Sequence, residues 1–183
     1  MITDDIIFTL KDGREAFLRC PTEADIEGTI DYLNKSAGES DFVMRTPEEC
    51  GQYTYEGEKS FFEYLNASPN DLMLVCIVGG KVAGNCHISF YDKLKTRHRG
   101  TVAIALLKEF WNLGIGTRMF GEMIKAARDK GCVTQLELEF IEGNTRARAL
   151  YEKMGFRITG VKPNAIKQPD GSMLNLYMMV KEL

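Results

Sequence analysis

The sequence has no long apolar run and no secretory type of start. Within its 183 residues, the longest apolar runs cover residues 73–78 and 102–107, far fewer than the ~20 residues that a transmembrane helix needs. The N-terminus lacks both a basic start and an apolar stretch of secretory length. These absences predict a protein that does not enter a membrane and that works in the cytoplasm.

The sequence also has little net charge. Its 23 Lys and Arg residues and 26 Asp and Glu residues give a formal net charge of −3. Nucleic-acid-binding domains usually carry a basic surplus or a basic stripe, so we expect no nucleic-acid partner. A basic run at residues 93–99 precedes a predicted strand and is expected to be a solvated hairpin loop.

Cysteine and histidine are too scarce and too scattered for a metal site. The chain has five cysteines and two histidines, without a C-x-x-C pair and without the ligand spacing typical of zinc. We therefore expect no bound metal. Several cysteines lie inside apolar runs, where a free thiol packs as a small apolar side chain.

Length and composition predict one globular domain over residues 1–183. A domain typically takes about 100–200 residues, and 44% hydrophobic with 27% charged residues is usual for globular proteins. No repeat and no Pro/Gly/Ser-rich linker divides the chain.

Hydrophobic periodicity predicts strands and helices that suit a mixed sheet. In chain order they are strands 6–10 and 15–20, a helix that opens at 21–22, a helix over 56–66, strands 72–78, 81–90 and 100–107, a helix over 114–130, a strand over 133–140, a helix over 145–154, and strands 156–167 and 174–182. Burying them all predicts an α/β fold with a mostly antiparallel central sheet and helices on both faces. Residues 100–140 should form one right-handed parallel crossover.

Two glycines before a helix predict a phosphate site. Gly114 and Gly116 follow a strand, and the N–H groups of a helix N-terminus together with its dipole favour anions. The dinucleotide pattern G-x-G-x-x-G/A is excluded because Met119 takes its third position, and no Gly-Lys-Ser/Thr triplet of a P-loop exists. Taken alone, the two glycines also fit a plain turn.

A second segment, residues 144–156, carries polar groups on one helix face. Asn144 and Tyr151 are seven residues apart, about two helical turns. Asn144 also suits a helix N-cap, and Tyr151 also suits an apolar stripe with Ala147 and Met154. Both interpretations are compatible with a binding role.

Together, the two segments resemble the signatures of the GNAT superfamily of acyl-CoA-dependent N-acetyltransferases. Residues 111–116 match Q/R-x-x-G-x-G/A except that Trp111 stands at its first position. Residues 144–156 match N-x-x-A-x-x-L-Y-x-x-x-G-F throughout. The predicted order of elements from about residue 15 is similar to the family fold. The resemblance implies the GNAT-like acyl-CoA N-acyltransferase fold, with acetyl-CoA as co-substrate.

The resemblance implies a role for each matched residue. The strand end formed by Ile104, Ala105 and Leu106 would bind the pantetheine arm like an added strand. Asn144 would bind pantetheine, Tyr151 would protonate the departing thiolate, and Trp111 would contribute by packing. The pyrophosphate would be wrapped by the backbone amides of Asn112, Leu113, Gly114, Ile115, Gly116 and Thr117.

The attacking amine also needs help. With a pKa near 10.4, only about 1 in 2,500 amine molecules is neutral at pH 7, so a general base or an ordered water chain is expected. Glu139 matches the position of a catalytic glutamate in the ribosomal-protein acetyltransferase branch, five residues before Asn144. Glu137 and Glu139 could instead form a plain polar strand face.

The resemblance places the acceptor near the segment between the first two helices. Carboxylates with aromatics there would suit a small cationic amine, or they could form a solvated loop; the residues are Glu39, Asp41, Phe42, Glu48, Glu49, Tyr53 and Tyr55. A protein N-terminus is the other acceptor.

We expect direct attack of the amine on the thioester in a ternary complex. The alternatives are a non-catalytic CoA-binding sensor and a structural domain. The final strand could pair in a homodimer.

Overall fold

The computed structural model describes residues 1–183 and contains eight strands and four α-helices. They are β1 (Ile6–Thr9), β2 (Glu15–Arg19), α1 (Ile26–Glu39), α2 (Tyr55–Ala67), β3 (Asp71–Val78), β4 (Lys81–Phe90), β5 (Arg99–Leu106), α3 (Ile115–Asp129), β6 (Gln135–Ile141), α4 (Thr145–Lys153), β7 (Arg157–Lys167) and β8 (Met173–Glu182). Short 3-10 turns lie at Glu23–Asp25, Glu48–Gln52 and Lys108–Phe110. Every predicted element is present. No helix has the length and apolar character needed to span a membrane.

The first helix begins later than its sequence signal. Thr22 and Asp25 form a capping box, as the sequence pattern indicates, and the Thr22 N–H donates to the Asp25 carboxylate at 2.8 Å. This box starts a 3-10 turn, and α1 itself begins at Ile26.

All eight strands form one sheet in the order β1-β2-β3-β4-β5-β6-β8-β7. Every neighbouring pair is antiparallel except β5 and β6, which are parallel and joined through α3. The predicted mixed α/β sheet with one parallel crossover is therefore confirmed.

Strand β3 explains why helices cover both faces of the sheet. Alternate residues of a strand point to opposite faces, and β3 is apolar along almost its whole length. Leu74 belongs to the larger core cluster, which includes Met119 and Phe120 of α3. Val75 belongs to a smaller cluster with Phe62 of α2.

The sheet opens between β5 and β6. The two strands pair only at their beginnings, and the last matched pair is Thr101 with Glu137. Beyond it β5 stays paired with β4 as far as Leu106, and β6 stays paired with β8 as far as Ile141. The strands therefore separate toward their C-terminal ends, and the loops leading to α3 and α4 flank this opening.

Candidate active site

A cleft of about 800 Å³ lies at the opening between β5 and β6. It is bordered by the ends of both strands, the loop before α3, helix α4 and the loop after α1. The predicted site residues that line it are Ile104, Ala105, Leu106, Asn112, Gly114, Gly116, Thr117, Glu139, Asn144 and Tyr151. Leu113 and Ile115 do not line it: Ile115 is buried in the core, and Leu113 packs against the core.

The backbone of β5 presents alternate residues to the cleft. The Leu107 N–H donates to the Ala83 carbonyl of β4 at 3.0 Å. Backbone groups of successive strand residues face opposite sides, so those of Ala105 face β4, whereas those of Ile104 and Leu106 face the cleft. The Leu106 carbonyl accepts a hydrogen bond from the Trp111 indole at 2.9 Å. Ile104 is therefore the β5 residue with both backbone groups open to the cleft.

The loop before α3 exposes a set of free amides. Gly114 has a φ of +94° and directly precedes the helix, a conformation that glycine adopts without strain. The first backbone hydrogen bond of α3 is donated by the Arg118 N–H to the Gly114 carbonyl, at 3.1 Å. The N–H groups of Ile115, Gly116 and Thr117 have no protein acceptor, as is usual for the first turn of a helix.

Gly116 has a packing role of its own. A Cβ at this position would lie 2.8 Å from Cδ2 of Leu150. Glycine here therefore lets the start of α3 approach α4 closely, which a larger residue would prevent.

Three cations surround this glycine loop. The Lys11 N–H donates to the Leu113 carbonyl at 3.2 Å, which places the β1–β2 turn against the loop. Lys153 Nζ lies 3.4 Å from Thr117 Oγ1, and Arg146 donates to Asn112 Oδ1 at 2.8 Å. All three side chains line the cleft, and none forms an ion pair with a carboxylate.

The free amides and the unpaired cations together fit an anionic group such as a diphosphate. The chain has no group of three or more His, Cys, Asp or Glu side chains that could hold a metal ion.

Asn144 caps helix α4. Its Oδ1 accepts a hydrogen bond from the Ala147 N–H at 3.2 Å, so the N-cap interpretation is confirmed. The side-chain NH₂ group has no protein partner and remains available at the cleft wall.

Tyr151 is held by an aromatic cluster. Its ring meets that of Phe120 edge-on, with centroids 5.6 Å apart, and lies 6.1 Å from Phe140. Burial raises the pKa of the Tyr151 hydroxyl to about 12. The hydroxyl has no hydrogen-bond partner in the protein, so a phenol that stays protonated borders the cleft.

The two candidate carboxylates of β6 differ in their partners. Glu137 is bound by the Arg99 guanidinium, whose Nη2 donates to Oε2 at 2.6 Å; this bond lowers the pKa of Glu137. Glu139 has only Lys162 nearby, at 3.9 Å, and it lines the cleft. Glu139 is therefore the one of these two carboxylates that lines the cleft.

The acceptor-side loop differs from its sequence interpretation. Of the residues predicted there, Glu39 and Phe42 line the cleft, and Glu39 accepts a hydrogen bond from the Lys108 N–H at 2.7 Å. The five that do not line it are Asp41, Glu48, Glu49, Tyr53 and Tyr55. The 3-10 turn at Glu48–Gln52 leaves its carboxylates exposed, and the Tyr55 hydroxyl donates to Glu23 at 3.0 Å.

Arg45 borders the cleft instead. It donates to the Leu33 carbonyl at 3.3 Å and to Ser36 Oγ. No sequence signal indicated Arg45, Lys11 or Asn85, because each reaches the cleft through tertiary packing. Arg146 lies inside the second motif, at a position that the motif leaves unspecified.

The chain matches the Acetyltransferase (GNAT) family model over residues 41–156. Among curated proteins, it is 37% identical over 76 residues to a ribosomal protein bS18-alanine N-acetyltransferase of Haemophilus influenzae, covering 42% of this chain and 51% of that protein. It is 30% identical over 116 residues to a thialysine N-epsilon-acetyltransferase of Bos taurus, covering 61% of this chain and 65% of that protein. The chain therefore spans about half to two thirds of these relatives.

A solved structure extends the similarity over most of the chain. An acetyltransferase of the GNAT family from Streptococcus pneumoniae has a TM-score of 0.84 and 27% sequence identity. The match covers 92% of this chain and 99% of that one.

Proposed function

The chain belongs to the GNAT acetyltransferase family, and from this premise we propose that it is an N-acetyltransferase that transfers an acetyl group from acetyl-CoA to a primary amine. The observation that carries the proposal is the cleft between β5 and β6. It joins a cationic, amide-rich glycine loop at one end to Tyr151 and Glu139.

Each matched residue receives a proposed role toward the co-substrate. The free amides of Ile115, Gly116 and Thr117 bind the diphosphate, within a loop shaped by Asn112, Leu113 and Gly114. Ile104 offers its backbone N–H and C=O to the pantetheine arm. Ala105 and Leu106 shape the same wall, and the Asn144 amide adds a polar contact.

Acetyl-CoA supplies an acetyl group on a thiol leaving group. Tyr151 hydrogen-bonds the departing sulfur. An ordinary thiol has a pKa near 8.5, whereas burial raises the pKa of Tyr151 to about 12. Complete proton transfer from the phenol is therefore uphill, and Tyr151 acts mainly by holding a hydrogen bond toward the growing negative charge.

Glu139 is the proposed general base. It removes a proton from the ammonium form of the acceptor, directly or through water, so that the neutral amine attacks the thioester carbonyl in a ternary complex. As the C–S bond breaks, the proton that the new amide nitrogen loses passes to the departing thiolate. A covalent acetyl-cysteine is disfavoured because no cysteine lines the cleft, and burial raises the pKa of the Cys76 and Cys86 thiols.

The acceptor is proposed to be a small-molecule amine or a protein N-terminus. The two curated relatives are named for a protein alanine and for thialysine, which favours an amine acceptor in either class. The Glu139 carboxylate lines the cleft, and its negative charge suits the positive charge of such an amine before deprotonation.

Two measurements test the proposal. Acetyl-CoA at 100 times its dissociation constant should stabilise the folded protein by about 2.7 kcal/mol, which raises the melting temperature. A panel of small amines and peptide N-termini, assayed by thiol release, should then contain an acceptor. Stabilisation without turnover on any amine would favour the non-catalytic sensor, and no stabilisation at all would contradict both functions.

A further inference from the structure

The glycine loop departs from the family motif at one position. Trp111 stands where the pattern has Gln or Arg, so the loop lacks the cation or amide expected at that point. In the structure, Arg146 of α4 occupies the space over Trp111, with its guanidinium carbon 4.3 Å from the centroid of the ring. A cation is therefore present at the loop, supplied by a different segment.

We propose that Arg146 binds the diphosphate of acetyl-CoA in place of the missing motif side chain, and that Trp111 holds its guanidinium in position. The proposal rests on the proposed function, since it concerns the same co-substrate. It assigns a phosphate contact to Arg146 and a positioning role to Trp111.

The contacts fix the orientation of the guanidinium. Its Cζ lies over the indole ring, and Nη1 donates to Asn112 Oδ1 at 2.8 Å. Asn112 has a positive φ of 64°, so the residue whose side-chain oxygen accepts this bond has an unusual backbone conformation. A guanidinium has five N–H donors, and those not bound to Asn112 remain available beside the free amides of α3.

Trp111 is itself anchored. Its indole N–H donates to the Leu106 carbonyl at 2.9 Å, which ties the stacking surface to the end of β5. A planar guanidinium that stacks on an aromatic ring is pre-organised for bidentate binding of phosphate oxygens.

Arg148 provides a matched control on the same helix. It pairs with Glu152 at 2.8 Å, is exposed and does not line the cleft. Replacing either arginine by glutamine removes one positive charge from α4, but only Arg146→Gln removes a charge beside the glycine loop.

The test measures dissociation constants by calorimetry for CoA, 3′-dephospho-CoA and pantetheine. Arg146→Gln should weaken binding of CoA and of 3′-dephospho-CoA by about tenfold each, a loss of about 1.4 kcal/mol, and leave pantetheine binding unchanged. Arg148→Gln should change none of the three, and both variants should unfold at the wild-type temperature without ligand.

Two outcomes would overturn the assignment. Equal constants for the two arginine variants would remove Arg146 from phosphate binding. A loss seen with CoA but absent with 3′-dephospho-CoA would move Arg146 to the 3′-phosphate. Failure of the wild-type protein to bind CoA would instead contradict the proposed function, so the two failures are distinguishable.

The positioning role of Trp111 has its own test. Trp111→Leu keeps apolar bulk but removes the stacking surface, so it should also raise the dissociation constant for CoA. The double variant with Arg146→Gln should bind no more weakly than Arg146→Gln alone, because both changes remove the same contact. Additive losses would show that Trp111 acts independently of Arg146.

Discussion

The Tyr32 hydroxyl of α1 donates a hydrogen bond to the Ala105 carbonyl of β5 at 3.2 Å. It also lies 3.3 Å from Asn85 Oδ1 of β4. Tyr32 is almost fully buried, and burial raises the pKa of its hydroxyl to about 12. A helix on one side of the sheet is thus fixed to the strand that forms a wall of the cleft.

This buried phenol predicts a loss of stability at alkaline pH. An unfolded tyrosine ionises near pH 10, whereas Tyr32 and Tyr151 remain protonated in the folded state up to about pH 12. Between these values the folded state binds more protons, so the free energy of unfolding falls as pH rises, by about 1.4 kcal/mol per pH unit for each group. Burial raises the pKa of Cys76 to about 12 as well, in the same direction.

Urea denaturation at pH 8, 10 and 11 measures this loss. Tyr32→Phe should reduce stability at pH 8 by about 1 kcal/mol, the usual net value of one hydrogen bond. It should also reduce the slope with which the free energy of unfolding falls above pH 10, by about 1.4 kcal/mol per pH unit, the contribution of one titrating tyrosine. If the decline is as steep in this variant as in the wild type, Tyr32 does not titrate in that range.

Tyr151→Phe tests the role of the phenol in turnover. The ring contacts with Phe120 and Phe140 remain, so folding and the dissociation constant for CoA should be unchanged. Because a thiolate is a tolerable leaving group, we expect kcat to fall by about 10- to 100-fold rather than to vanish, in the range of one lost transition-state hydrogen bond.

Steady-state kinetics over pH 6–9.5 provide the measurement for Tyr151. With a pKa of about 12, the phenol stays protonated throughout this range, so the variant and the wild type should share the same profile shape. If one limb of the pH–rate profile disappears in Tyr151→Phe, the phenol titrates within the measured range.

The parts of the site that depend on local sequence could be predicted, whereas contacts between residues far apart in the sequence could not. The strands, α3 and α4 follow from local periodicity, and the turn before α3 follows from Gly114, whose φ is positive. Local patterns cannot show that Lys11 reaches the glycine loop, because that contact depends on where the β1–β2 hairpin joins the sheet.

The side chains of the acceptor-side loop that line the cleft cannot be predicted from local sequence either. Residues 40–54 form no long regular element, so no periodicity tells which side chains turn inward. The carboxylates Glu48 and Glu49 lie outward, whereas Arg45 turns toward Ser36. Similarly, Arg146 and Arg148 are equivalent in sequence, and only the rotation of α4 decides which one meets Trp111.

Glu139→Gln tests the proposed base. General-base catalysis typically contributes about 10²- to 10⁴-fold, so kcat near neutral pH should fall by at least about 100-fold. The acid limb of the pH–rate profile should also flatten, because the group that must lose a proton is gone.

Glu137→Gln is the matched control for the base. Glu137 is bound to Arg99, so this variant should lose stability without any change in the shape of the pH–rate profile. An unchanged acid limb in Glu139→Gln would remove Glu139 from the mechanism and leave an ordered water chain as the route for the proton.

Gly116→Ala tests whether the glycine loop depends on close helix packing. Its new Cβ would lie 2.8 Å from Leu150 Cδ2, so α3 must shift away from α4 or Leu150 must change rotamer, at a cost of about 1–3 kcal/mol. Gly121→Ala is the control in the same helix: no atom lies within 4 Å of its Cβ, and alanine should stabilise the helix by up to about 1 kcal/mol.

Chemical denaturation gives both changes in the free energy of unfolding, and calorimetry with CoA gives the effect on binding. Because the free amides of residues 115–117 move with the start of α3, Gly116→Ala should weaken CoA binding, whereas Gly121→Ala should not. A stable Gly116→Ala variant with wild-type affinity would mean that Leu150 yields without moving the loop.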